Sequence, residues 1–313
     1  MDQFVLFPAN LPGAVNALWV SALALASGAF WLWVLRREDV YEPEPGRLML
    51  VAFSLGVTAS CLTMVLYDAI GTVIPPGPFE NFPATLLWSL LVVGLVEEGS
   101  KGLVVYYLIL GDREVNERLD GMIYAGAVGL GFASAENYFY IHMIGSPVLF
   151  GRFFFASVMH LCTSSIFGYY MARYRLADSA GKRAGRAELW KGLWTVVFLH
   201  GLYDAFLFQM RNGPRIFYLI AIAINFVAIW IFRHHVFLCW LESPFRRTWV
   251  DVRRKLRAPF RTALAALVGI GLISSFKWFR PRGGFDLRWR VLEAVVGLGA
   301  VCLFFYASGP SRE

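Results

Sequence analysis

Residues 84–110 read ATLLWSLLVVGLVEEGSKGLVVYYLIL, an apolar run with Glu97, Glu98 and Lys101 near its middle. About 20 apolar residues in a helix cross the hydrocarbon core of a bilayer, so this run is long enough to span. Each charged side chain at the centre of such a helix costs about 2.5–3.5 kcal/mol on insertion scales, and a segment that only had to anchor would not carry three. On a helix, Glu97 and Lys101 are i,i+4 neighbours and are expected to pair. Glu98 points about 100° away and must find another partner. Two readings follow: a buried pair that holds helices together, or a chemical site inside the membrane.

Composition extends the membrane reading to the whole chain. Of 313 residues, 58% are hydrophobic and 16% charged, which is too apolar for a soluble domain of this length. We expect an all-α, polytopic transmembrane bundle of about eight spans (seven to nine). The spans fall near 14–35, 48–70, 84–110, 121–142, 150–172, 191–210 and 216–233, with a less regular C-terminal region beyond. A net charge of +7 does not indicate nucleic-acid binding, because the basic residues lie mostly between apolar runs. If the N-terminus is outside, the inner loops hold eleven Lys and Arg residues against three in the outer ones (Arg152, Arg211 and Arg215), and this bias sets the orientation. The first apolar run continues to Leu35 without a preceding basic residue, so it is expected to remain as a span.

Between the first two spans, Tyr41-Glu42-Pro43-Glu44-Pro45 is expected to be an extended, solvated linker. Asp120 is the expected N-cap of the fourth span. That span is rich in small residues, with Ala125 and Gly129 at the four-residue spacing that lets helix backbones approach in lipid. The single cysteines Cys61, Cys162, Cys239 and Cys302 show no metal-ligand spacing and read as packing residues. Residues 246–261 are strongly basic, Thr262–Phe276 is short for a crossing, and 291–308 reads as a last span.

Five further polar residues fall inside predicted spans: Glu136 and Asn137 in the fourth, His160 in the fifth, and the i,i+4 pair His200 and Asp204 in the sixth. His142 and the His234-His235 pair fall at rims, where solvation accounts for them. At about 1.5 Å per residue, Glu97, Glu136, His160 and Asp204 all lie roughly 10–20 Å below the outer surface, a depth at which they can share one cavity. A base to activate water, donors for an oxyanion and a carboxylate to orient an imidazole are the parts that amide hydrolysis needs.

These residues carry a resemblance. Glu97-Glu98-x-x-Lys101, Phe132-x-x-x-Glu136-Asn137, His160 with Ser164, and His200-x-x-x-Asp204 occur in order over roughly residues 15–210, and together resemble the PrsW-type intramembrane proteases, distant kin of the CAAX-prenyl protease superfamily. The resemblance implies a peptidase core over residues 1–210 in a multi-pass cell-membrane protein of the bacterial cytoplasmic membrane, with 211–313 as a C-terminal extension. It implies a single-span membrane-protein substrate, of the anti-sigma-factor kind, cut near the outer half of the bilayer. It further implies Glu97 and Glu98 as the catalytic pair, Glu136 as a further site residue, His160, His200 and Asp204 as partners, and Lys101, Asn137 and Ser164 in support.

Two mechanisms fit. In the first, which we expect, a glutamate activates water without any cofactor. In the second, His160, His200, Glu97 and Glu136 bind zinc, since two histidines and a carboxylate leave a coordination position open. The rival class is a proton- or ion-coupled transporter, because intramembrane Glu, His, Lys and Asp also build relays. No internal repeat or paired broken helix supports that rival.

Overall fold

The computed structural model describes residues 13–245, except for residues 40, 76, 145–147, 179–180, 210–213 and 215. The expectations for the basic segment 246–261 and for the apolar stretches after it lie outside the described residues. Every regular element described is helical: α1 (Gly13–Arg36), α2 (Gly46–Gly71), α3 (Phe82–Trp88), α4 (Leu95–Val104), α5 (Arg118–Ile144), α6 (Leu149–Gly151), α7 (Ser157–Leu176), α8 (Gly181–Gln209) and α9 (Ile216–Glu242). π-helical turns at Ser89–Gly94 and Val105–Ile109 run on from α3 and α4, and a third at Arg152–Ala156 leads into α7.

Among the described residues, four helices are long and apolar enough to cross a membrane: Ala17–Arg36, Gly46–Gly71, Phe82–Tyr107 and Ile216–Glu242. α5, α7 and α8 are also long, at 27, 20 and 29 residues, but more polar. Burial explains the difference for α5 and α7. Residues 119–134 of α5 and 157–172 of α7 are buried without interruption, so protein covers the faces that lipid would otherwise require to be apolar.

α5 is the axis of the bundle, packed between α2 and α7 and also against α1. Glycine permits these approaches. A Cβ on Gly131 would lie 1.8 Å from the Phe53 carbonyl oxygen, and one on Gly56 would lie 2.0 Å from that of Val128, so α2 and α5 touch backbone to backbone. On the opposite side, a Cβ on Gly168 would meet the Gly121 oxygen at 2.2 Å and Ala125 Cβ at 2.5 Å. The small residues at four-residue spacing in α5 thus form its contact with α7.

The π turns free carbonyls that an α-helix would satisfy internally. Around Arg152–Ala156 other helices supply donors: Trp31 Nε1 to the Phe153 oxygen at 2.8 Å, and Asn225 Nδ2 to the Phe155 oxygen at 2.8 Å. α9 therefore helps fix the start of the helix that carries His160. It extends past the expected end at residue 233 because Arg233 pairs with Glu38, Trp240 Nε1 donates to the Glu38 oxygen, and His235 packs edge-on against Tyr169 and Tyr170. His235 is buried, and solvation does not account for it.

The linker between α1 and α2 departs from its reading as solvated. Glu44 is buried, its carboxylate accepts from the Tyr124 hydroxyl, and its backbone N–H donates to Asp39 Oδ2 at 2.8 Å. Burial pushes the Glu44 carboxyl up to about 9 and Asp39 up to about 7. Asp120 is not the N-cap. It sits in the first turn of α5 and accepts from the backbone N–H groups of Asn116 and Glu117 at 2.8 and 2.7 Å, the back half of a capping box.

Candidate active site

Four segments supply the site: α4 brings Glu97, Glu98 and Lys101, α5 brings Glu136, α7 brings His160 and Thr163, and α8 brings His200 and Asp204. The π turn before α4 adds a residue to the helical count, which rotates the face that follows by about 100°. Close contact brings α8 alongside: Cβ atoms on Gly94 and Gly201 would lie 2.8 Å from the Val197 oxygen and 2.7 Å from the Ser89 oxygen. Glu98 of α4 consequently meets His200 of α8.

The pairing within α4 is the reverse of the expected one. Lys101 Nζ lies 2.7 Å from Glu98 Oε1 and 3.9 Å from Glu97 Oε2, so the i,i+3 partner takes the ammonium. Glu98 Oε1 also accepts from Thr163 Oγ1 at 3.0 Å and lies 2.7 Å from His200 Nδ1. Three groups converge on one oxygen of this fully buried carboxylate, while its Oε2 has no hydrogen-bond partner among the described residues.

Glu97 is held differently. Its Oε1 accepts from the Tyr67 hydroxyl at 2.8 Å. Its Oε2 is buried with no hydrogen-bond partner, 3.7 Å from His200 Nε2 and 4.0 Å from His160 Nδ1. Glu97, His160 and His200 each offer one donor atom, and the three atoms lie within 4.8 Å of one another.

Carboxylates occupy the other nitrogen of each imidazole. Glu98 faces His200 Nδ1, and Glu136 Oε2 lies 3.0 Å from His160 Nε2. Asp204 Oδ2 is 3.4 Å from His200 Nε2, the i,i+4 contact expected from the sequence. Lys101 Nζ lies 3.1 Å from His160 Nδ1 and 4.5 Å above the Phe132 ring.

Glu97, Glu98, Lys101, Glu136, His160, His200 and Asp204 thus come together. Asn137 sits one layer out: its Oδ1 accepts from Arg152 Nε at 2.8 Å and its Nδ2 donates to Ser157 Oγ at 3.0 Å. Ser164 does not join the cluster. It packs where a Cβ on Gly129 would lie 2.5 Å from its Oγ, and among the described residues that hydroxyl has no hydrogen-bond partner. Thr163, one residue earlier, faces the site in its place.

Sequence reasoning missed three residues. Tyr67 looks like an ordinary aromatic of an apolar helix. Thr163 sits next to the serine that the helical spacing favours. Arg152 looks like a charge in an outer loop, yet its Nη2 donates to Glu136 Oε2 at 2.7 Å. The usable signal for Arg152 is an unneutralised carboxylate at Glu136, which needs a cation.

Comparison with known proteins gives a consistent picture. A family model described as PrsW family intramembrane metalloprotease matches residues 44–230. Relatives named Protease PrsW include one from Geobacillus kaustophilus, 32% identical over 58% of this chain and 76% of its own. Another, from Halalkalibacterium halodurans, is 30% identical over 61% of this chain and 83% of its own. A third, from Clostridioides difficile, is 28% identical over 59% and 76% respectively. No solved structure matches. None of these matches supports the transporter reading.

Proposed function

The chain belongs to the PrsW family of intramembrane proteases, and from that premise we propose that it hydrolyses a peptide bond of a single-span membrane protein at the Glu97, His160 and His200 cluster. The observation that carries this reading is Glu97 Oε2, a buried carboxylate oxygen with no hydrogen-bond partner that faces one nitrogen of each histidine. An orphaned buried charge is costly unless something binds it.

Two histidines and a carboxylate suit a divalent cation such as zinc, and the carboxylate behind each imidazole matches the outer shell that orients metal-binding histidines. We therefore favour the metal-dependent mechanism over the metal-free one that we expected from the sequence. Zinc held by Glu97, His160 and His200 would polarise a carbonyl and acidify water. The chain's own residues do the rest. Glu98 orients His200 through Nδ1, leaving Nε2 toward the reacting centre, and Glu136, clamped by Arg152, does the same for His160 through Nε2. Asp204, partly accessible and beside His200 Nε2, takes the proton from water and returns it to the leaving amine.

The second reading keeps the metal-free route, with Glu97 itself as base. Lys101 favours it, because an ammonium 3.1 Å from His160 Nδ1 already occupies a nitrogen that a cation needs. Under either reading, about eight spans, an outside N-terminus, a core over 1–210 and an extension over 211–313 in a bacterial cytoplasmic membrane complete our proposal, and the loop charges support its orientation.

The test is cleavage of a reconstituted single-span substrate alongside elemental analysis of the purified protein. Loss of cleavage in Glu97→Gln and Glu98→Gln with the fold intact is expected, and normal cleavage by both sinks the assignment. Near-stoichiometric zinc that disappears in His160→Ala/His200→Ala is expected. Fully active protein free of metal would return the mechanism to the glutamate alone.

A further inference from the structure

A cavity of about 290 Å³ lies at the end of the bundle where the basic loops gather, between the start of α5 and the ends of α7 and α9. Its floor is formed by Glu117, Cys239 and Ser243, which are buried, and its rim by residues that include Leu176 and Pro244, which are exposed. Arg118 also lines it but is already paired with Glu242 across the rim. Glu117 is 6% exposed, and neither of its carboxylate oxygens makes a hydrogen bond of normal geometry. Burial pushes this carboxyl up to about 7; the Ser243 hydroxyl works against the shift, and Asp120, Asp39 and Glu42 add to it. The surroundings of Glu117 are acidic, and Arg118, the one cation among the described lining residues, is paired with Glu242.

We infer that this cavity binds a basic side chain from the inner juxtamembrane segment of the substrate, with Glu117 as its counter-ion. The inference rests on the peptidase reading and extends it to substrate recognition. Three features select a lysine or arginine side chain over a bare metal ion. The acidic groups here are not among the described sets of three that converge as Glu97, His160 and His200 do. The apolar wall of Leu176, Cys239 and Pro244 suits an aliphatic stem behind a charged head. And membrane spans carry Lys and Arg on the same side as this chain's basic loops, so a substrate crossing the same bilayer presents such a residue at this level.

The cavity also sets a register. Along α5 the chain rises about 27 Å from Arg118 to Glu136, at about 1.5 Å per residue. A helical substrate anchored at Glu117 would therefore meet the cluster about 18 residues beyond its basic residue.

The experiment uses the full chain in nanodiscs and a tetra-arginine amide peptide as probe. Wild type and Glu97→Gln should bind the peptide equally, which separates this site from the catalytic reading. Glu117→Gln, an isostere of the protonated group, should bind about tenfold more weakly. Glu117→Asp should recover most of the affinity, and Glu114→Gln, an exposed acid of the same loop, should change nothing. Equal binding by wild type and Glu117→Gln, or equal weakening by Glu114→Gln, overturns the inference. In a cleavable substrate, moving the inner basic cluster by four residues should move the cut by four; an unmoved cut also overturns it.

Discussion

Lys101 offers a quantitative test of the buried network. Its side chain is fully enclosed, with Nζ at 2.7 Å from Glu98, 3.1 Å from His160 Nδ1 and 3.9 Å from Glu97. Lys101→Met keeps the length and removes the charge. Breaking a buried ion pair by removing one partner costs about 3–5 kcal/mol. The lower end applies here, because His200 and Thr163 still hold Glu98 and a thioether retains some of the contact with Phe132. We expect a loss of about 3 kcal/mol in unfolding free energy, measured by denaturant titration in mixed micelles. Glu98→Gln removes the charge that Lys101 balances, so the double variant should lie within about 1 kcal/mol of Glu98→Gln alone, a coupling of roughly 2 kcal/mol. Zinc affinity gives an independent readout. Lys101→Met clears His160 Nδ1 and should hold or raise affinity, whereas Glu98→Gln weakens the orientation of His200 and should lower it about 10–100-fold. Additive stability losses, with no coupling, would refute the assignment of Lys101 as the counter-ion of Glu98.

Other outcomes follow from the same geometry. Tyr67→Phe removes the hydroxyl that holds Glu97 Oε1, and a hydrogen bond to a charged group is worth about 1.5–3 kcal/mol, so kcat should fall about 10–100-fold with KM little changed; an unchanged kcat would make Tyr67 a packing residue. Gly131→Ala forces a methyl into the Phe53 carbonyl and should cost at least about 1–3 kcal/mol of stability by thermal unfolding, whereas alanine at Gly99, where a Cβ meets nothing, should be neutral. The carboxyls of Asp39 and Glu117 are raised to about 7 and that of Glu44 to about 9, so the folded state holds protons that the unfolded chain has released. Their contribution is fully present below about pH 4 and is lost as pH rises toward 9, so the thermal midpoint should fall between pH 6 and pH 9. Glu44→Gln should flatten that fall, and a midpoint that rises over this range would contradict the burial of these groups.

Much of the fold was legible because a bilayer imposes a strong rule: apolar runs of spanning length become helices, and charges inside them mark function. The reading of Glu97, Glu136, His160, His200 and Asp204 as one cluster depended only on helix rise and span order, and the structure brings them together. Helical spacing also placed the His200 and Asp204 contact correctly. The same arithmetic failed where a choice lay between neighbours. Lys101 reaches Glu98 instead of Glu97, and Thr163 faces the site instead of Ser164, because rotation about a helix axis is set by the π turns and by what packs on each side.

The amino-acid order by itself determined that this is a membrane-embedded helical protein with acids and imidazoles at one depth, since hydropathy and rise per residue are local properties. Only the tertiary structure decided which atoms face one another. The Gly131 and Gly168 contacts, the π turn before α4 and the Arg152 clamp on Glu136 each depend on a partner from a distant segment. The inner acids show the same limit most plainly. Glu44 reads as part of a solvated linker in sequence, yet it is buried with the Tyr124 hydroxyl of α5 on its carboxylate, and Glu117 is buried in a cavity it shares with Cys239 of α9, outcomes no local pattern encodes.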